Sequence, residues 1–231
     1  MEQINKKIGR VAVVLVGAGH GNRLGISNKA SIDLSGKPAL SWLMEVFYPL
    51  ADEIILVLAP DYINWGKEFA RHNAWLNISV VPGGVRRQDS VAGGLASIGN
   101  ASWVIIHDIA RPLVTQELVL AVLEAARETG AALAAVPVTD TIKVASDSFV
   151  ESTLPRHLLW AAQTPQVFRF EIITEAYHHL GDGEFTDDAL LVERLGYRVR
   201  IYPGSPENIK ITFPQDIDLA RMIISRRRAR V

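Results

Sequence analysis

The stretch Val11-Ala12-Val13-Val14-Leu15-Val16-Gly17-Ala18-Gly19-His20-Gly21-Asn22-Arg23-Leu24-Gly25 passes from an unbroken apolar run into a glycine loop. A short continuous apolar run closed by a turn signal reads as a strand covered on both faces, the habit of parallel sheets. The glycines let the chain turn sharply and approach a ligand closely. Successive exposed N–H groups in such a loop can cradle phosphate oxygens. Two familiar glycine patterns fail here. The phosphate loop G-x-x-x-x-G-K-[ST] needs a hydroxyl residue after Gly-Lys, and the Gly-Lys of this chain, Gly36-Lys37, is followed by Pro38. The dinucleotide pattern G-x-G-x-x-G fails because Gly19 and Gly21 lead to Leu24, and Gly17 and Gly19 lead to Asn22. No acidic residue stands where it would end a second strand and meet a ribose. What remains is a glycine loop with its own cation, Arg23, and a second cation, Lys29, six residues later.

Outward from this stretch the pattern repeats. Apolar runs at Ile54–Leu58, Ile78–Val81, Trp103–His107, Ala131–Val136, Gln166–Phe168 and Arg198–Tyr202 alternate with amphipathic stretches. The amphipathic stretches are Leu40–Tyr48, Tyr62–His72, Ser90–Ile98, Gln116–Thr129, Arg169–His178 and Asp187–Leu195. This alternation predicts an α/β fold in three layers, α/β/α, around a mostly parallel twisted sheet. Right-handed crossovers then bring the loops after the strands to one edge, where ligands bind. Residues 139–162 break the rhythm. They read as Asp140–Ala145, a turn at Ser146-Asp147-Ser148, and Phe149–Leu154, a β-arm projecting from one domain that spans residues 1–231. An arm with unpaired edges commonly pairs with a partner, so a homodimer through it is expected.

Composition narrows the classes. The chain has 231 residues, 48% of them hydrophobic, enough for one well-cored domain. Its net charge of -1 means that any anion site is local. The absence of cysteine excludes disulfides, thiolate metal sites and cysteine nucleophiles. The apolar run Val11–Val16 is too short for a secretory leader or a membrane span, and a cytoplasmic protein without membrane attachment is expected. The basic tail Arg226-Arg227-Arg228-Ala229-Arg230 reads as cations at a helix C-terminus rather than a nucleic-acid site.

Several short motifs follow strand ends. Pro82-Gly83-Gly84-Val85-Arg86-Arg87-Gln88-Asp89-Ser90-Val91 is a glycine turn opening a helix, in which Ser90 suits a base edge and Asp89 or Ser90 equally suits a helix cap. In His107-Asp108-Ile109-Ala110-Arg111-Pro112, Asp108 falls on the ligand edge, where a carboxylate can meet a ribose hydroxyl or Mg²⁺. His107 reads as a packed strand-end histidine rather than a catalyst. Asp140-Thr141-Ile142-Lys143 opens the arm, and Arg156 lies on its return before Gln163-Thr164-Pro165-Gln166. Thr186-Asp187-Asp188-Ala189 and Asn208-Ile209-Lys210-Ile211-Thr212 come late.

In order and spacing these elements resemble the 2-C-methyl-D-erythritol 4-phosphate cytidylyltransferase family, within the nucleotide-diphospho-sugar transferase fold, over nearly the full chain. The resemblance implies a Rossmann-like nucleotidyltransferase that joins CTP to the alditol phosphate, with Mg²⁺, in isoprenoid precursor synthesis. It implies that Ala18, Gly19, Gly83 and Ser90 hold the nucleoside, and that Asp108 contacts the ribose and places Mg²⁺. It implies that Arg23 and Lys29 grip the triphosphate. Thr141, Arg156, Thr164 and Lys210 are implied for the acceptor phosphate, with Arg156 reaching in from the partner's arm. Arg23, Lys29, Arg156 and Lys210 are the implied catalytic group.

The chain departs from the family pattern at Gly17 (usually alanine), Asn28 (usually proline), Val85 (often acidic) and Ile109 (usually alanine). None of these departures removes a charged group assigned to chemistry. The nearest alternative acceptor is ribitol 5-phosphate or another alditol phosphate. A nicotinamide-dependent oxidoreductase is disfavoured by the failed G-x-G-x-x-G, and a non-catalytic binding protein by the joint retention of Arg23, Lys29, Asp108, Arg156 and Lys210.

Overall fold

The computed structural model describes residues 9–19, 24–179, 181 and 183–229. Seven strands form the main sheet: β1 (Val11–Gly17), β2 (Glu53–Leu58), β3 (Ile78–Pro82), β4 (Trp103–Asp108), β5 (Ala131–Pro137), β8 (Trp160–Arg169) and β9 (Arg200–Pro203). Their order is β3-β2-β1-β4-β8-β5-β9. β1 runs parallel to β2 and β4, β2 to β3, and β5 to β9. β8 runs antiparallel to both of its neighbours.

Strand alternation sorts the core into two layers. In β1, Val11, Val13 and Leu15 enter one cluster, and Ala12, Val14 and Val16 the other. Helices α1 (Ala39–Phe47), α2 (Ile63–His72) and α4 (Gln116–Thr129) cover the first face. Helices α3 (Arg87–Ala96), α5 (Phe170–His178) and α6 (Asp188–Arg194) cover the second. The chain builds β1, β2 and β3 in one direction, then returns to place β4 on the other side of β1. Between the carboxyl ends of β1 and β4 the strand order therefore reverses, and this opens a crevice.

A third cluster closes one side of that crevice. Helix α7 (Pro214–Arg228) lays Ala220, Ile223 and Ile224 against Leu24, Ile32, Leu34, Leu113 and Ile211. The cluster ties the segment carrying Lys29 to the loop carrying Lys210.

The arm is a separate two-stranded antiparallel sheet, β6 (Lys143–Ser146) with β7 (Phe149–Thr153), exposed throughout. Its two-residue turn has positive φ at both Asp147 (48°) and Ser148 (68°), as a tight hairpin with right-handed twist requires. The chain then differs from the strand expected over Gln166–Phe168. β8 begins at Trp160, and its first residues pair with β5 as Trp160↔Pro137, Ala161↔Val136 and Ala162↔Ala135. Pairing with β4 stops at Ile106↔Gln166. The polar run Gln163–Gln166 hides this strand from a reading based on apolar periodicity. Among the described residues no helix is long and apolar enough to cross a membrane.

Candidate active site

The crevice encloses about 360 Å³, within the ordinary range for a small-molecule site. It is lined by Gly17 and Gly19 at the end of β1, Gly84 to Arg87 beyond β3, Asp108 and Ala110 at the end of β4, and Lys29, Lys210 and Thr212 from the closing segments.

The glycine turns are shaped by packing. Gly17 approaches Ile109 so closely that a Cβ there would lie 2.5 Å from Ile109 Cδ1. At Gly83 a Cβ would collide with Ala18 Cβ and Ser90 Oγ, so the strand-β1 loop and the Gly83-Gly84 turn meet backbone to side chain. Ser90 is buried beneath that turn. Its Oγ accepts from Gly84 N–H (3.1 Å) and donates to Arg86 O (3.2 Å). Asp89 reaches back to the Arg86 N–H (3.1 Å), one half of a capping box at the start of α3. Arg23 lies outside the described residues.

Asp108 ends β4 and is nearly enclosed. Arg87 Nε donates to its Oδ1 (3.1 Å) and Lys210 Nζ to its Oδ2 (2.7 Å). Burial alone would push this carboxyl up, but the charges of Arg87 and Lys210 outweigh it and hold Asp108 well below the usual carboxylate range. Arg87 is itself clamped from behind. Its NH1 and NH2 donate to Asp188 Oδ1 (2.9 Å) and Oδ2 (2.8 Å), a bidentate pair, and Tyr177 Oη donates to Asp188 Oδ1 (2.6 Å). Burial would lower the Arg87 pKa, but Asp188 and Asp108 together raise it, so the guanidinium stays charged.

The two lysines are brought in by one loop. Ile211 N–H donates to Ala110 O (2.7 Å) and Arg111 NH1 to Asn208 O (2.9 Å), docking the Lys210 loop on the turn after β4. Lys29 Nζ donates to Ile211 O (3.1 Å) from a single 3₁₀ turn whose preceding residue, Asn28, accepts from Ala30 N–H (3.2 Å). Asn28 therefore supplies a side-chain cap where the family pattern has proline.

Behind Asp108, His107 is fully buried against Phe47, with ring centroids 5.1 Å apart. Its Nε2 meets Arg111 O (3.0 Å), and its Nδ1 meets Thr164 Oγ1 (3.1 Å). Thr164 Oγ1 also accepts from Asp108 N–H (3.0 Å). Burial pushes the His107 pKa down to about 4, so the ring is neutral near neutral pH.

The structure thus brings together Ala18, Gly19, Gly83, Ser90, Lys29, Asp108, Thr164 and Lys210. It does not bring in Thr141 or Arg156 from the same chain. Both sit at the arm, where Arg156 NH1 donates to Thr139 O (2.7 Å) beside Pro137, Val138, His157 and Trp160. Arg87, Asp188 and Tyr177 were not singled out from the sequence. Asp188 reads locally as an acidic residue in the first turn of a helix, and no local pattern announces that it meets an arginine 101 positions earlier.

A divalent cation fits this site with a single protein ligand. Among the described residues no group of three or more His, Cys, Asp or Glu could hold a metal. Mg²⁺, however, usually takes one or two carboxylates together with substrate phosphates. Asp108 is ionised and faces the crevice, and its partner Lys210 is 43% exposed.

A family model described as 2-C-methyl-D-erythritol 4-phosphate cytidylyltransferase matches residues 11–226. A protein of that name from Dehalococcoides mccartyi (strain CBDB1) is 43% identical over 97% of this chain and 99% of its own. One from Geobacter metallireducens is 42% identical over 93% of this chain and 97% of its own. Among solved structures, 2-C-methyl-D-erythritol 4-phosphate cytidylyltransferase from Thermus thermophilus is 33% identical with a TM-score of 0.75, over 96% of this chain and 98% of that one. A 4-diphosphocytidyl-2C-methyl-D-erythritol synthase from Anaerococcus prevotii aligns with a TM-score of 0.82 at 28% identity, over 94% of this chain and 98% of that one.

Proposed function

The chain belongs to the 2-C-methyl-D-erythritol 4-phosphate cytidylyltransferase family, and from that premise we propose how its own residues carry the reaction, as a homodimer acting in the cytoplasm. The enzyme transfers CMP from CTP to 2-C-methyl-D-erythritol 4-phosphate, giving 4-diphosphocytidyl-2-C-methyl-D-erythritol and pyrophosphate in isoprenoid precursor synthesis. An acceptor phosphate oxygen forms a bond to the α-phosphorus as the bond to the pyrophosphate oxygen breaks.

The observation that carries the residue assignment is the chemistry of the crevice. It sets Lys29 and Lys210 in one crevice with an ionised carboxylate at the β1/β4 reversal, and among the described lining residues the hydroxyls of Ser90 and Thr212 bond only backbone groups, so neither is paired with a base. None is needed. The attacking phosphate is already anionic, and the barrier is the approach of one anion to a polyanion. In this reading the Gly17–Gly19 turn, Gly83 and Ser90 shape the nucleoside end. Asp108 takes the ribose, and Lys29, with Arg23, neutralises charge on the α-phosphoryl oxygens and the leaving pyrophosphate. Lys210 leaves Asp108 to hold the acceptor phosphate, with Thr164 close behind. Bound Mg²⁺ would neutralise phosphate oxygens, with Asp108 its protein ligand. Thr141 and Arg156 would complete the acceptor site from the arm of the partner subunit, orienting the phosphate for in-line attack.

The test is pyrophosphate release from CTP and Mg²⁺ with 2-C-methyl-D-erythritol 4-phosphate in one arm and ribitol 5-phosphate in the other. Release with the first and not the second is expected. Release with ribitol 5-phosphate alone would overturn the acceptor assignment while keeping the CTP chemistry.

A further inference from the structure

β8 lies beside β4, but the ladder between them ends at Ile106↔Gln166. Continuing that register sets residue 107 opposite Pro165, which has no N–H to give, and Asp108 opposite Thr164. The Asp108 backbone therefore has no strand partner on this side, and its N–H is taken by the Thr164 hydroxyl instead (3.0 Å). Three contacts now share two side chains, and donor and acceptor chemistry leaves one way to place their protons. Arg111 O only accepts, so His107 Nε2 carries the ring proton (3.0 Å). His107 Nδ1 is then a bare acceptor. Asp108 N–H only donates, so Thr164 Oγ1 receives it and sends its own proton to Nδ1 (3.1 Å). The turn between is short, with Arg111 N–H donating to Asp108 O (2.9 Å) and Ile109 N–H to Val16 O (3.0 Å).

We propose that His107 is a positioning residue for nucleotidyl transfer: one imidazole braces the Asp108–Arg111 turn from both ends, holding Arg111 O directly and the Asp108 backbone through the Thr164 hydroxyl. A residue needed only to fill space against Phe47 has no use for two oriented ring nitrogens. The same turn accepts the Ile211 N–H at Ala110 O and sends Arg111 to Asn208 O, so the brace also sets where the Lys210 loop docks. Thr164 has its hydroxyl committed on both sides and acts on the acceptor through this turn rather than by touching it. The inference rests on Asp108 serving the nucleotide, as argued above.

The test uses the full-length enzyme. In the wild-type protein, ¹⁵N imidazole spectra, with His107 assigned by its loss in His107→Gln, should show the Nε2–H tautomer; the Nδ1–H tautomer would overturn the proposal without any functional variant. Steady-state kinetics then compare Thr164→Val and Thr164→Ser with wild type. Thr164→Val keeps the volume and removes the relay, and should lower kcat/KM for CTP by roughly ten- to a hundredfold, the usual cost of losing a residue that orients a ligand-binding group. The KM for the alditol phosphate should change less than kcat/KM for CTP falls, because the acceptor is reached only through the docked Lys210 loop, and Thr164→Ser should restore most of the activity. The double variant Thr164→Val/His107→Gln should be little worse than its worse single, because both break one chain; independent, multiplying losses would sink the relay. A Thr164→Val effect confined to the acceptor KM, or to melting temperature, would also overturn it. Asp108→Asn separates the two failures. Full activity in that variant removes the premise about Asp108, whereas a loss there with none in Thr164→Val removes the relay alone.

Discussion

At the scale of single residues, two departures from the family pattern occupy one space. The family's glycine loop usually begins with alanine where this chain has Gly17, and its His-Asp motif carries alanine where this chain has Ile109. A methyl on Gly17 would stand 2.5 Å from Ile109 Cδ1 and 3.3 Å from Leu58 Cδ2. The isoleucine fills volume that the absent methyl leaves, at the floor of the crevice. Gly17→Ala alone should therefore overpack the site and destabilise by about 1–3 kcal/mol. Ile109→Ala alone should leave a cavity costing about 2–5 kcal/mol. The double variant should lose clearly less than the sum, in urea denaturation followed by circular dichroism. Strict additivity would show that the two side chains are not exchanging volume. Lys29 makes a different kind of prediction. Its ammonium reaches the crevice, where it donates to a backbone carbonyl, and Lys29→Ala should keep the melting temperature near wild type. It should still cut kcat by at least about a hundredfold, the scale of losing an electrostatic stabiliser. Near-normal turnover would remove Lys29 from the chemistry.

At the scale of elements, the network behind Asp108 joins α3 to the start of α6. Arg87 opens α3, Asp188 opens α6, and their bidentate pair is sealed at its Asp188 end, which is 1% exposed, while the Arg87 side chain lines the crevice. Removing Asp188 takes the bidentate partner from Arg87, leaving it Asp108 alone, and takes the buried acceptor from Tyr177. Asp188→Ala should therefore cost about 3–5 kcal/mol in chemical denaturation. A loss under about 1 kcal/mol, the range of a solvated surface pair, would mean that Asp108 and crevice water are enough to satisfy Arg87. This pair, and the strand beside it, mark where the sequence was legible and where it was not. The strands β1, β2 and β4 announced themselves because continuous valine, leucine and isoleucine runs have one natural home, a sheet covered on both faces. β8 showed only its Gln166–Phe168 end, because its other inner residues are polar and are satisfied by distant partners. Gln163 bonds the Ser205 backbone, and Gln166 meets Asp187 and the Ala189 N–H. Buried amides look like a loop until their partners are known. The same holds for the site. Asp108 at a strand end and Lys29 shortly after the glycine loop can be picked out locally, Lys210 only through the ordered resemblance to the family, whereas Arg87, Asp188 and the Thr164–His107 contact exist only through pairings between elements far apart in the chain.

At the scale of the whole molecule, the proposed mechanism needs two chains for each site. The crevice holds Lys29, Asp108 and Lys210, while Thr141 and Arg156 sit on an arm whose strands are exposed along their whole length. Phe149 and Val150 on that arm are 78% and 62% exposed, and Leu158 on its return is 68% exposed, a spread of apolar surface that a second copy would cover. A two-fold dimer would then exchange arms, each subunit completing the other's acceptor site. This makes a prediction that no property of the isolated chain can imitate. Lys29→Ala removes a residue from the body of the subunit, and Arg156→Ala removes one from the arm. If the arm acts in trans, a mixed dimer has one site carrying both changes and one site carrying neither. Co-refolding the two variants in equal amounts gives mixed dimers as half of the population under random pairing. The mixture should thus recover up to about a quarter of wild-type activity from two nearly inactive parents, assayed at an acceptor concentration below the raised KM of the Arg156→Ala enzyme. Activity no higher than the mean of the parents would place Arg156 in the service of its own chain, or outside the site altogether.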